Sequence, residues 1–90
     1  MAHHWEISIQ GRVQGVWYRK YAYQKAAELG LRGFVQNQSD GSVYAELEGE
    51  LPALEAMKIW CWQGSPLSHV SAVEVRQGEL KGFSDMEIRI

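Results

Sequence analysis

Residues 9 to 30 read IQGRVQGVWYRKYAYQKAAELG, a short strand-like run that passes through two glycines into a helix-like run, with Arg19 at the change. A helix start presents unpaired backbone N–H groups and the positive end of its dipole. A preceding glycine turn can aim further N–H groups into the same concavity, and Gly11 and Gly15 suit unusual backbone angles or the close approach of a ligand. Arg19 adds a permanent cation whose fork of donors matches phosphate. Together these residues have the makings of a nest for phosphate or another tetrahedral oxyanion. The Gly-Lys-Ser/Thr ending of a Walker A loop is missing. By itself, the same pattern also describes a tight turn followed by a solvated arginine.

The other chemically capable side chains point elsewhere. His3 and His4, adjacent and near the start of the chain, are expected to be frayed and exposed, and His69 has no acidic or cysteine partner at ligand spacing. Glu46, Glu48 and Glu50 alternate with Ala45, Leu47 and Gly49, the spacing of a solvated strand face. Neither group predicts a metal site. Cys61 is the one cysteine, so an internal disulfide and any CxxC motif are excluded, and a reducing compartment fits best.

The elements that must hold the turn follow from periodicity. In residues 5 to 10, Trp5, Ile7 and Ile9 alternate with polar neighbours and predict a strand. Tyr18, Ala22, Ala26 and Leu29 share one helical face, with Gly30 as a stop. Residues 32 to 50 read as a hairpin around Asp40-Gly41, with Val43, Ala45 and Leu47 on its apolar face. Pro52 suits the first turn of a second helix, whose buried stripe is Leu54, Met57, Trp60 and Cys61 and which ends before Gly64 and Pro66. Ile59 and Trp62 form a second apolar spot, expected on the surface as a possible contact for a partner. Residues 69 to 77 read as another strand, and MEIRI, residues 86 to 90, as a short edge strand.

The order is β-α-β-β-α-β plus a short fifth strand. It predicts an α+β, ferredoxin-like sandwich in which two helices lie on one face of an antiparallel sheet. Right-handed crossover then brings the end of the first strand and the end of the second to the same rim. Asn37 therefore belongs beside the turn and Arg19.

GRVQGVWYR, residues 11 to 19, resembles the acylphosphatase signature Gly-x-Val-Gln-Gly-Val followed by two residues and an arginine. GFVQNQSDGSV, residues 33 to 43, is similar to that family's Gly-x-Val-x-Asn block with its Asp-Gly turn. The resemblance runs over nearly the whole chain. It implies metal-independent hydrolysis of the carboxyl-phosphate bond of acyl phosphates, with no cofactor and no covalent nucleophile. Arg19 and the loop Gln14, Gly15, Val16, Trp17, Tyr18 and Arg19 would bind the phosphoryl group through side chain and backbone amides. Asn37 would orient the attacking water, while Gln14 would brace the turn. Trp17 is bulkier than the residue found in many relatives, and Ser65 stands where proline is common, a change expected to matter only locally.

Length and composition agree with one domain spanning residues 1 to 90: 90 residues, 46% hydrophobic, 22% charged and a formal net charge of -2. Mixed charges give no field to gather a polyanion, and SVYAELEGE offers one tyrosine and several acids where an RNA-recognition motif needs stacking aromatics. Nucleic acid is not expected as a partner. No secretory leader or membrane-spanning run is visible, so the expectation is a cytoplasmic monomer acting on a small molecule. The alternative is a catalytically weak phosphate-binding or regulatory domain of the same fold.

Overall fold

A computed structural model describes residues 1–90. It contains β1 (Ala2–Arg12), α1 (Tyr18–Glu28), β2 (Arg32–Asn37), β3 (Val43–Glu50), α2 (Leu51–Gln63), β4 (His69–Gly78) and β5 (Met86–Arg89). The five strands form one sheet in the order β4-β1-β3-β2-β5. β1 extends beyond residues 5 to 10 because β3 and β4 pair along nearly its whole length, satisfying the backbone from Ala2 to Arg12.

Alternation decides the core. Ile7 lies opposite Ala45 on β3 and Val75 on β4, and all the odd residues from Trp5 to Ile9 turn to one face. Both helices cover that face. Tyr18, Ala22 and Ala26 of α1 and Leu54, Met57 and Cys61 of α2 are buried in a cluster with Ile7, Ile9, Val35, Val43, Ala45 and Leu47. The Tyr18 hydroxyl donates to the Cys61 carbonyl at 2.8 Å, and its ring packs on Trp60 with centroids 5.2 Å apart. That contact fixes the first residue of α1 against α2.

The expected antiparallel sheet needs one correction, because β5 runs parallel to β2. After β4, residues 79 to 85 cross from one edge of the sheet to the other and arrive where β2 begins. β5 must then run beside β2 in the same direction.

This crossing segment also overturns the expectations that His4, Glu46 and Glu48 are exposed. It covers the sheet face that the helices leave open, so His4, Glu46 and Glu48 are buried, whereas Glu50 is exposed as expected. Glu48 accepts hydrogen bonds from the backbone N–H groups of Lys81, Gly82 and Phe83, and from His4 Nδ1 at 2.7 Å. Burial raises its pKa, but these bonds outweigh burial and hold it below the ordinary carboxylate value. Lys81 Nζ lies 2.8 Å from Glu46 and supplies a cation to the cluster.

Candidate active site

The two loop glycines have different work. Gly11 lies in β1 at a bulge in the pairing with β4. Its φ is 128°, and a Cβ there would stand 2.1 Å from the His69 carbonyl oxygen. The glycine at position 11 therefore serves the close approach of two strands, not of a ligand. Gly15 has φ 74°, yet a Cβ there would meet no protein atom within 4 Å. Its empty side faces space that the loop leaves open.

Trp17 is the one non-glycine residue at positive φ (65°), and it caps α1 without a side-chain hydrogen bond. A bulky residue in this left-handed region costs on the order of 1–3 kcal/mol and persists only where its surroundings over-determine it. Three such restraints are present. Val13 and Val16 are buried in the core. The Gln14 amide donates to the carbonyls of Gln38 and Ser42, both at 2.8 Å. The buried Ser65 hydroxyl, beyond the end of α2, donates to the Val16 carbonyl at 2.8 Å.

Gln14 thus spans the turn that follows Asn37, a turn closed by the Gln38 N–H on the Ser42 carbonyl at 2.8 Å and by Asp40 accepting from the Ser42 N–H at 2.9 Å. Asn37 pairs with Val43 on β3, which on its other side pairs with Ile9 of β1. The expected common rim is present, and Gln14 bolts its two halves together.

Between them is a cavity of about 420 Å³ lined by Gly15, Trp17, Tyr18, Arg19, Lys20 and Asn37, with Val13 and Ile88 as apolar flanks. A volume of this size suits a small molecule. Arg19 Nη1 donates to the Arg89 carbonyl of β5 at 2.9 Å, which anchors the guanidinium at the rim. Neither Arg19 nor Lys20 is in an ion pair. The first backbone bond of the helix runs from the Tyr21 N–H to the Trp17 carbonyl, and no group of the chain accepts from the N–H groups of Gly15 to Lys20. Cationic side chains, unpaired donors and a helix N-terminus converge on one cavity. That arrangement is suited to a phosphoryl-sized anion.

No histidine, carboxylate or cysteine lines the cavity. Cys61 is buried on the inner face of α2, and burial pushes its thiol up to about 12, so it stays protonated at neutral pH. Of the residues expected at the site, Gly15, Trp17, Tyr18, Arg19 and Asn37 share the cavity, whereas Gln14 and Val16 support it from behind. Lys20, Ile88 and the Arg89 carbonyl are additions. Lys20 could have been suspected as the next cation in the first helical turn. Ile88 and Arg89 could not, since their place depends on the crossing segment. Ser65 reaches further than expected, because its hydroxyl touches the phosphate-loop candidate itself.

The family model for acylphosphatases matches residues 5–88. The chain belongs to the acylphosphatase family. It is 47% identical over 81 residues to the acylphosphatase of Nitrosococcus oceani, covering 90% of this chain and 91% of that one. The crystal structure of acylphosphatase from Bacillus subtilis superposes with a TM-score of 0.96 at 33% identity, over 100% of both chains. Full-length HypF contains a similar unit, with a TM-score of 0.85 and 31% identity, spanning 99% of this chain and 12% of that one. Members of the acylphosphatase family hydrolyse acyl phosphates, and the ferredoxin-like α+β fold expected from the sequence is the fold observed.

Proposed function

We propose that the cavity at the rim hydrolyses acyl phosphates without metal or cofactor, Arg19 and the N–H groups of residues 14 to 19 binding the phosphoryl oxygens and Asn37 orienting water. One observation supports this above the others: unpaired amides, an arginine outside any ion pair and an asparagine meet in a cavity lined by no histidine, carboxylate or cysteine. Such a site is suited to a substrate that needs little proton transfer. A carboxylate is a good leaving group, so positioning and charge stabilisation supply most of the barrier reduction. The substrate's own phosphoryl oxygens accept the water proton. Atoms balance as R–CO–O–PO₃²⁻ and water giving a carboxylate and inorganic phosphate.

Losing one preorganised donor costs about 3–4 kcal/mol in the barrier, or on the order of a hundred- to a thousand-fold in rate. Phosphate release from benzoyl phosphate by Arg19→Ala and by Asn37→Ala should fall by at least that factor, with Arg19→Ala also losing affinity for inorganic phosphate. Turnover close to that of the unaltered protein in either folded variant refutes these roles. Phosphate binding without turnover in the unaltered protein would favour the regulatory-domain reading, which the HypF likeness makes specific. We further infer that residues 1–90 act as one domain and a monomer, with neither nucleic acid nor membrane as partner. The lone Cys61 supports a reducing, cytoplasmic setting.

A further inference from the structure

Trp17 is not explained by folding. It is the one side chain held at a positive φ (65°), where glycine would be free of strain, and it is 69% exposed. An indole that buries so little returns little to the fold. It does, however, line the cavity beside Arg19, and Lys20 Nζ sits over its ring 5.4 Å from the centroid. A cation in that position holds the ring in place. Ile88 of β5, itself 43% exposed, lines the same cavity. An exposed aromatic plane and an exposed aliphatic side chain therefore share one cavity with the guanidinium. Observed backbone strain at a ligand cavity is evidence of a task there.

We propose that Trp17 and Ile88 form a subsite for the acyl group, selecting acyl phosphates whose acyl part is a flat, apolar ring, the arene-carboxyl phosphates. The inference rests on the reading of the cavity given above. With the phosphoryl end on Arg19 and the loop amides, the bridging oxygen and carbonyl carry the ring outward to the mouth. There it stacks on the indole, offset or edge-on. A small aliphatic acyl group would leave the same indole in water and gain nothing from it.

The test compares benzoyl phosphate with acetyl phosphate in the unaltered protein, Trp17→Gly and Trp17→Phe, reading the ratio of the two kcat/KM values. Both substrates present the same phosphoryl group, so any general damage to the loop cancels in the ratio. The ratio should fall about five- to ten-fold in Trp17→Gly, the size of one aromatic stacking contact, and recover most of the way in Trp17→Phe. A ratio that stays the same in Trp17→Gly overturns the subsite. If the unaltered protein hydrolyses neither compound, the proposed activity fails and the subsite is read by calorimetry instead. Phenacylphosphonate and acetonylphosphonate, in which CH₂ replaces the bridging oxygen, then serve as unreactive probes. Tighter binding of the phenacyl compound, lost in Trp17→Gly, supports the subsite, and equal binding of the two overturns it.

Discussion

Replacing either loop glycine by alanine adds the same methyl group, and the two outcomes should be opposite. At position 11 the new Cβ would lie 2.1 Å from the His69 carbonyl oxygen and 2.8 Å from the Ser71 nitrogen. Both are backbone atoms in β4, so no side chain can swing aside and the β1–β4 pairing must part. With the unfavourable φ added, Gly11→Ala should cost on the order of 4 kcal/mol or more, which lies in the range reserved for special backbone sites. A chain of this length has about 5–13 kcal/mol in total, so the variant is severely destabilised. At position 15 the same methyl meets no protein atom within 4 Å, and the cost is the left-handed backbone alone, about 1–2 kcal/mol. On the proposed reading, the methyl would instead stand where the loop would cradle the phosphoryl group. Displacing a reacting group by about 1 Å costs on the order of a hundred-fold in rate. Urea unfolding followed by phosphate release from benzoyl phosphate separates the two effects. Gly15→Ala should keep most of its stability and lose at least about a hundred-fold in kcat/KM, while Gly11→Ala should lose stability and retain activity per folded molecule. Full activity in Gly15→Ala, or an unfolding midpoint for Gly11→Ala equal to that of the unaltered protein, would refute the division of roles.

Gln14→Ala removes two hydrogen bonds that join the loop to the turn after Asn37. It should cost about 1–3 kcal/mol in urea unfolding and lower kcat/KM, although the side chain lies outside the cavity; unchanged kinetics would show that the brace is dispensable. Glu48 tests the covered sheet face. Its carboxyl is held below its ordinary value of 4.5, so the stability it contributes is present above that pH and is lost as pH falls below it. Glu48→Ala should cost about 3–5 kcal/mol at neutral pH, since it strands the N–H groups of the crossing segment, and should flatten the fall in Tm between neutral pH and the acid range. The same acid slope in the variant and the unaltered protein would place the acid sensitivity elsewhere.

Local chemistry made much of the molecule legible. The alternation in WEISIQ and VYAELE, the Asp40-Gly41 reversal, and the Gly30 and Gly64 stops depend on a few neighbouring residues, so the strands and helices could be read without the fold. The rim shared by the loop and Asn37 was also accessible, because the handedness of a crossover does not depend on sequence detail. What could not be read were consequences of residues 79 to 85. This stretch has no periodicity of its own, and only its path across the sheet buries His4, Glu46 and Glu48, turns β5 parallel to β2 and brings Ile88 and the Arg89 carbonyl to the cavity.

The two loop glycines show the boundary most plainly. From the sequence, Gly11 and Gly15 both looked like room for a ligand, since a missing Cβ looks the same whatever it makes way for. The sequence by itself determined that these positions need glycine-like freedom, that Arg19 opens a helix, and that Asn37 ends a strand on the same rim. Only the tertiary structure decided that Gly11 makes way for a neighbouring strand and Gly15 for open space, because that difference lies in which distant backbone arrives 2.1 Å away and which does not.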